Sequence, residues 1–472
     1  NRRMTMDQSE KNTGVIKSST APAIVTGNAV IEPAREIKVC DEADVVVVGG
    51  GPGGMGAAVA AARSGAKTIL VERYGCLGGM ATGGLVTAFP NMCNDDGVVL
   101  IKGLNEEMMQ RLRDRDACDH PPRELWGSRD PKQVAYYRQL SMFYTMRGMV
   151  NYAVHVDAEE LKCIYDEMAR EAGIKLYLHS WGTSAIVDSS SGKVCGVVFE
   201  SKSGKQAIRA KVVIDSTGDG DLLPGVGAGF ETDTGKGTRV SHASHCFWIA
   251  NVDTAKFDEW KSTPEGEKEL QARLQEGFKA GAHPRGAATL LPHQEGLRWF
   301  WTREECDQID VKALTRVELN GRIKMRKTID FLRANIPGYE ESYLVLSSPQ
   351  LGTRGSRRVI GDYMLNKGDA DAGKTHDDTV ALFPRGGSGG PDLHVPYRAL
   401  IPRGVDGMLV ACRATSMDLE ISEYLNLIPH CVAFGQAAGT AAAQAAQAGV
   451  GVRDIDIKAL QADLKKQDVV LP

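Results

Sequence analysis

"VVVVGGGPGGMGAAVAAARSGAKTILVER", residues 45–73, concentrates bare backbone between two apolar runs and closes on an acid. Val45 to Val48 are four consecutive β-branched residues and read as a buried strand, while the small-residue run from Gly54 to Ala62 reads as a helix that another body approaches closely. Gly49, Gly51 and Gly54 fit the spacing G-x-G-x-x-G. In that spacing the first glycine makes the tight turn, the second lets backbone near a pyrophosphate, and the third lets helix and strand touch. A helix N-terminus placed there presents unpaired N–H groups and a partial positive charge to phosphate. Thr68 to Val71 form the next strand, and Glu72 follows it about 20 residues after the fingerprint, where an acid accepts hydrogen bonds from a ribose diol. A glycine fingerprint alone would also suit a tight turn without ligand. Strand, turn, helix, second strand and acid in order make it a dinucleotide site.

The rest of the chain narrows the class. Its 472 residues suffice for two or three domains, and 42% apolar with 25% charged residues is an ordinary globular balance. A formal charge of −4 without a basic cluster gives no reason to expect a nucleic-acid partner. No apolar run approaches the roughly 20 residues of a membrane helix. The polar first 40 residues do not resemble a secretory leader, so a cytoplasmic location is expected. Ten scattered cysteines contain no C-x-x-C pair, which argues against an iron–sulfur cluster or a dithiol motif. His242 and His245 sit in a strand-like stretch, where i and i+3 face opposite sides, so no metal site is expected.

A nicotinamide-binding Rossmann domain would continue after Glu72 with further strand–helix repeats. Instead comes "RYGCLGGMATGGLV", in which Gly78, Gly79, Gly83 and Gly84 again favour close backbone approach. A helix over Val156–Gly173, capped by Asp157, precedes three short strands in residues 174–215, separated by the turns "SSSGK" and "SGK". This meander ends in "VVIDSTGDGD", which delivers Asp215, Thr217, Gly218 and Asp219 to an edge suited to a hydroxylated chain, or to an Asx turn. Residues 407–416 supply another buried strand. Residues 428–449 form a helix with Pro429 in its first turn and Gly449 after its end. That helix is mostly Ala and Gly, a surface suited to a flat ligand or another backbone.

Taken together, "EADVVVVGGGPGGMGAA", "ERYGCLGGMATGGLV", "VVIDSTGDGDLLPGVGAGFE", "LGTRGSRRVIGDYML" and "HVPYRALIP…GMLVACR…IPHCVAFGQAAGTAAA" resemble the FAD-dependent oxidoreductase family related to the fumarate reductase and glutathione reductase flavoprotein fold. The likeness runs in order over about residues 33–450. It implies FAD as cofactor, with Gly49, Gly51, Gly53, Gly54, Glu72, Arg73, Gly78, Gly79, Met80, Asp219, Gly435 and Gln436 near it. The expected fold class is α/β: a Rossmann-like FAD-binding domain of glutathione-reductase type with a β-meander, plus an inserted α+β substrate domain. The expected boundaries are an N-terminal extension over 1–33, a discontinuous FAD domain over 34–232 and 392–472, and a substrate cap over 233–391. Residues 367–391, rich in Gly, Asp and Ser, read as an exposed loop over the cleft.

FAD would carry the redox chemistry, leaving the protein to place a donor carbon and manage protons and charge. Arg354, Arg357 and Arg358 could clamp a carboxylate, with at least one expected in a structural ion pair. His394 and Tyr397 could serve as acid or base. Where many members carry a His beside Glu and an Arg three before the Pro, this chain has Leu419 beside Glu420, and Asn426; it also has "RGSRR" for the commoner "RESRR". Tyr424 and Asn426 remain as polar groups for substrate, so the catalytic candidates are His394, Arg354, Tyr397, Tyr424 and Asn426. "GVGAGF" at 225–230 follows Leu-Leu-Pro rather than a strand and makes a poor second nucleotide site. The expected function is a dehydrogenase or oxidase taking a hydride from a CH–OH, CH–NH or CH–CH group of a small-molecule substrate, with oxygen or an external electron acceptor as the other partner. The alternatives are a reductase fed by a separate electron-transfer protein, and a non-catalytic binding protein of the same fold.

Overall fold

The valine run ends a strand, β1 (Val39–Val48), in which Val45 to Val48 are all buried, at no more than 2% exposed. Burial on both faces is what a central parallel strand demands, and it explains a continuous β-branched run instead of an alternating one. The computed structural model describes residues 23–289, 291, 294–385 and 389–472. After β1 the chain turns into α1 (Pro52–Arg63), with Pro52 in its first turn, and then into β2 (Thr68–Val71), which lies parallel to β1.

Helix α2 (Ala158–Glu171) begins at Asp157, whose carboxylate accepts from the amides of Glu159 at 2.8 Å and Glu160 at 3.3 Å. It is followed by β3 (Lys175–Tyr177), β4 (Trp181–Val187), β5 (Val194–Ser201) and β6 (Gly204–Asp215). The stretch expected as one strand over "IKLYLHSWGTSAIVD" is therefore two. The break falls at His179, whose φ is +53°, and at Ser180, whose amide bonds the Glu72 carbonyl at 2.9 Å. The first piece joins β2 in parallel and the second pairs antiparallel with β5.

Strand β6 is long enough to pair with two different strands along one edge. Residues Gly204–Arg209 pair antiparallel with β5, while Val213–Asp215 pair in parallel with β7 (Met408–Val410). Its other edge pairs in parallel with β1. The result is a parallel sheet in the order β3-β2-β1-β6-β7, extended at one end by the antiparallel meander β4-β5-β6. The carboxyl ends of β1, β2 and β6 meet where the strand order reverses, the place where open α/β sheets bind ligands.

Helix α3 (Ile428–Ala448) lies against α1 through glycines. A Cβ on Gly435 would stand 2.0 Å from the Gly53 carbonyl oxygen, and one on Gly439 would stand 2.1 Å from that of Ala57. One on Gly56 would stand 2.4 Å from the Val432 carbonyl oxygen. The small-residue face thus accommodates another backbone, and it fixes the N-terminus of α3 beside that of α1.

A four-stranded antiparallel sheet is built from Gly286–Thr289, Arg298–Trp301, Cys246–Ala250 and Tyr343–Ser347, in that order. Phe247, Ile249 and Phe300 from this sheet pack with Met325, Ile329 and Leu332 of the helix Val311–Asn335. The segment 367–391 is not the exposed loop its composition suggests. It contains a helix, Lys367–Asp371, and a strand, Thr379–Phe383, that pairs antiparallel with Leu393–Pro396; Val380 and Phe383 are buried. The continuous apolar run in "TVALF", buried at four of its five positions, decides the strand over the surrounding glycines. Residues 386–388 of that expectation lie outside the described residues.

Residues 39–472 form one compact unit. Residues 23–38 belong to a separate one, and contain a hairpin of Ile24–Thr26 with Ala29–Ile31. Among the described residues no helix is long and apolar enough to cross a membrane.

Candidate active site

A cleft opens at the carboxyl ends of β1 and β2. Gly49, Gly51, Pro52 and Gly53 form part of its lining, together with Glu72, Arg73, Gly79, Met80 and Asn426. Gly51 is the N-cap of α1 and has no side chain to cap the helix, so the first-turn amides face the cleft without a side-chain partner. A Cβ on Gly51 would meet nothing closer than the Gly79 Cα at 4.0 Å. By contrast, Gly49 has φ +97° and its Cβ would stand 2.4 Å from the Ser216 carbonyl oxygen, while that of Gly54 would stand 1.7 Å from the Gly49 carbonyl oxygen. Gly49 and Gly54 are therefore required by the fold, whereas the fold itself leaves room for a side chain at Gly51.

Glu72 is 5% exposed and accepts hydrogen bonds from the amides of Gly50 at 2.6 Å and Tyr74 at 2.7 Å. Burial raises its pKa, and the two amides hold that rise back. Each carboxylate oxygen keeps a further lone pair for a hydroxyl. Arg73 lies over the rings of Tyr74 and Trp181, with its guanidinium carbon 5.0 and 5.5 Å from the ring centres. All three line the cleft, forming a flat cationic and aromatic wall.

Of the two acids that follow Gly218, Asp221 lines the cleft and Asp219 stands behind it. Asp219 accepts from Ser356 Oγ at 2.6 Å and from Arg413 Nη2 at 2.7 Å. Burial works against its charge, yet Arg413 and Ser356 leave its pKa below the usual carboxylate value. Asp221 is pushed up to about 6, first by burial and then by the charges of Asp219 and Asp215. Asp219 is thus a structural partner of Arg413, which itself lines the cleft. Sequence reasoning passed over Arg413, Asp221 and Trp181. The repeated Asp in "GDGD" was the available signal for Asp221; the pairing of Asp219 with Arg413 joins residues 194 positions apart and has no local signature.

Gly78 does not itself line the cleft; its amide donates to the Gly50 carbonyl at 2.7 Å, fastening the second glycine stretch to the first. Gly435 is buried in the α1–α3 contact. Gln436 is 2% exposed, accepts from the Leu104 amide at 2.9 Å and donates to Gln467 Oε1 at 3.0 Å. Both residues hold α3 in place and neither lines the cleft. The part of α3 that does so is its first turn, through Ile428 and Cys431.

The catalytic candidates divide in the same way. Tyr397 is 1% exposed and donates to the Val452 carbonyl at 2.7 Å, so it is a structural residue. His394 belongs to the Leu393–Pro396 strand, with its Nδ1 3.4 Å from Thr379 Oγ1, and is not part of the cleft wall. The Tyr424 hydroxyl is buried without a hydrogen-bond partner and also lies off that wall. Asn426 stands on the wall, and its Nδ2 donates to the Arg354 carbonyl at 2.9 Å. Arg358 is committed to Asp233 at 2.7 Å and Glu231 at 2.9 Å, and Arg357 to Asp221 at 3.2 Å. Arg354 has no carboxylate partner among the described residues.

His430, in the first turn of α3, is wholly buried with neither ring nitrogen hydrogen-bonded, and burial pushes its pKa down to about 3. His155, equally buried, is pushed down to about 4 by the same cause. Both folded values lie below the unfolded value of about 6.5, so on acidification the unfolded chain takes up protons first. Stability is expected to fall as pH drops below 6.5, with each histidine contributing a slope approaching about 1.4 kcal/mol per pH unit. Chemical unfolding at pH 7, 6 and 5 measures it, and His430→Leu should flatten the slope by nearly one proton.

Residues 44–464 match the family described as FAD dependent oxidoreductase. The chain belongs to that family. It is an FAD-dependent oxidoreductase, and its cofactor is FAD. Among curated proteins, leghemoglobin reductase of Glycine max is 62% identical over 39 residues, 8% of each chain. Mitochondrial dihydrolipoyl dehydrogenase of Pisum sativum is 59% identical over 39 residues, again 8% of each. The matched stretches therefore span less than a tenth of those relatives. Among solved structures, p-nitrophenol 4-monooxygenase of Pseudomonas putida DLL-E4 is 12% identical, covering 90% of this chain and 85% of its own, with a TM-score of 0.47. A geranylgeranyl bacteriochlorophyll reductase-like protein of Thermoplasma acidophilum is 15% identical, covering 90% and 83%, with a TM-score of 0.43.

The cleft fits such a cofactor on its own terms. Gly51 leaves open the space a Cβ would fill, the uncapped N-terminus of α1 offers amides to an anion, and Glu72 offers acceptors to a diol.

Proposed function

We propose that this oxidoreductase is a dehydrogenase or oxidase that removes a hydride from a CH–OH, CH–NH or CH–CH group of a small organic substrate and passes the electrons to oxygen or an external acceptor. The observation that supports this reading is the form of the glycine repeat "GVGAGF" at residues 225–230. Residues Pro224–Val226 make a short 3-10 turn ending at left-handed Gly227, and the chain then runs directly into the strand Phe230–Thr232. That segment offers no helix N-terminus to a nicotinamide dinucleotide, which favours the organic substrate as direct electron donor.

In this reading the cofactor is held by Gly49 to Gly54, Glu72, Arg73, Gly79 and Met80, within a glycine-fingerprint domain of glutathione-reductase type made from residues 34–232 and 392–472. Residues 233–391, with their antiparallel sheet, act as the cap that brings substrate to the cleft. FAD supplies a two-electron acceptor when bound. Asn426 contributes a fixed amide on the cleft wall, and Arg73 with Tyr74 and Trp181 contributes its cationic and aromatic part.

Stopped-flow mixing with NADH or NADPH under anaerobic conditions is expected to leave the flavin oxidised on the turnover timescale, whereas members of a panel of alcohols, amines and saturated acids bleach it. Rapid bleaching by either nicotinamide, with none by the organic panel, overturns the proposal.

A further inference from the structure

The long helix Val311–Asn335 is fastened to the protein along one side only. Ala313, Val317, Gly321, Met325 and Leu332 are buried along it, and a Cβ on Gly321 would stand 3.0 Å from the His245 Cβ. Leu319 lies two residues, about 200° of helix rotation, from both Val317 and Gly321, and therefore belongs to the opposite side. On that outer side Val311, Leu319 and Ile323 are 72%, 61% and 56% exposed. A helix whose inner stripe meets a core ordinarily carries charged and polar residues outside. Here aliphatic side chains face solvent over about 18 Å of helix axis, at about 1.5 Å per residue.

Cations border these side chains. Lys312, Arg316, Arg322, Arg326, Lys327 and Arg333 are all exposed on this helix, and among the described residues Asp330 is its one exposed carboxylate. At about 100° per residue, Arg322 and Arg333 fall to one side of Leu319, and Arg316 and Lys327 to the other. Arg316 and Arg322 each reach a half-buried carboxylate, Glu304 at 3.4 Å and Glu318 at 3.0 Å, and Arg326 reaches Asp330 at 2.9 Å. Exposed pairs of this kind contribute little and exchange readily. Lys312 and Lys327 have no ion-pair partner among the described residues. The whole chain has a formal charge of −4, so this concentration of positive charge is local.

We propose that this outer face docks on an anionic lipid surface, with Leu319 and Ile323 entering the headgroup boundary and the flanking cations meeting lipid phosphates. A basic amphipathic helix lying flat is the form such contacts take, and the boundary accepts isolated aliphatic side chains at any spacing. A second copy of the chain suits the face poorly. A two-fold axis through Leu319 would set Arg316 of one copy against Arg322 of the other, and like charges repel. A protein partner is ordinarily gripped by aromatic anchors seated in pockets, whereas the exposed apolar groups here are aliphatic and stand on the convex side of a helix.

The test is flotation of the full FAD-loaded chain with vesicles of phosphatidylcholine alone, and of phosphatidylcholine carrying about 30% phosphatidylglycerol. Binding to the anionic vesicles should be at least about tenfold tighter, and should weaken at least about tenfold between about 50 mM and about 500 mM salt as the Debye length shortens. Arg322→Gln, Arg326→Gln and Lys327→Gln combined should cost at least about tenfold in affinity with an unchanged melting temperature and flavin spectrum. Leu319→Gln alone should cost at least about threefold. Lys458→Gln, Lys465→Gln and Lys466→Gln combined remove the same charge from exposed sites on another helix, and should leave binding within about twofold of wild type. Equal binding to neutral and anionic vesicles, insensitivity to salt, or an equal loss in the second triple variant overturns the proposal. Binding to soluble poly-glutamate as tight as to anionic vesicles, and untouched by Leu319→Gln, indicates an acidic protein and overturns it; so does a dimer in light scattering that Leu319→Gln dissociates. Should the first triple variant fail to fold, Leu319→Gln and the salt titration of the wild-type chain decide.

Discussion

Gly51→Val is expected to give folded, colourless protein, with FAD affinity reduced at least about 100-fold, equivalent to about 2.7 kcal/mol. The backbone at Gly51 has φ −70° and ψ −173°, a conformation open to valine, and a Cβ there would come no closer to the protein than 4.0 Å, at the Gly79 Cα. The branched side chain occupies the space in front of the first turn of α1, where the helix amides await an anion. Gly435→Val should behave in the opposite way. Its Cβ would stand 2.0 Å from the Gly53 carbonyl oxygen, so α1 and α3 must separate, at the upper end of the 1–3 kcal/mol typical of overpacking or beyond. Circular dichroism, thermal unfolding and visible absorbance on the two purified variants distinguish a lost ligand site from a lost helix contact. A Gly51→Val protein that stays fully yellow would sink the assignment of this turn to the cofactor.

The contrast between those glycines marks how far the sequence could be read. Strand, glycine turn, helix and acid between Val45 and Glu72 were legible because each signal is local and their order is itself information. The meander was legible from its turns, apart from the break at His179 and Ser180, which depends on bonds from Ser180 and His179 back to residues 72 and 74. The family resemblance implies a place near the cofactor for Gln436, whereas its hydrogen-bond partners, Leu104 and Gln467, come from remote parts of the chain. His394 and Tyr397 looked reactive by residue type, yet a hairpin pairing and a hydrogen bond to the Val452 carbonyl define their places. The contacts around Asn426 were legible only by half. Arg354 could be named from "RGSRR", whereas Arg239 meets Asn426 across 187 positions, a proximity that composition and periodicity do not encode.

Asp219→Asn is expected to destabilise the fold by about 3–5 kcal/mol, the range for removing one partner of a buried ion pair. The side chains of Asp219 and Arg413 are only 10% and 12% exposed, so solvent screens them little. Asparagine keeps an acceptor for Ser356 but leaves the Arg413 guanidinium without its counter-charge and supported mainly by Thr353 Oγ1 at 2.8 Å. The folded pKa of Asp219 lies below its ordinary value, which sets the sign of the pH dependence. Its contribution is fully present above the unfolded value of about 3.9 and is lost as pH falls through the folded value. That contribution alone leaves the difference between wild type and Asp219→Asn level from pH 7 to 5 and shrinks it only below about pH 4, while protonation of Asp221, near pH 6 in the wild type and lower in the variant, makes the difference grow as pH drops through 6. Asp221 should respond in the same variant, because the charge of Asp219 is one cause of its raised pKa, and that pKa should fall from about 6. A double-mutant cycle with Arg413→Gln isolates the pair, and a coupling of at least about 1.5 kcal/mol is expected, within the range for residues in one ionic network. If Asp219→Asn costs less than about 1 kcal/mol, as exposed ion pairs do, Asp219 does not anchor Arg413 at the cleft.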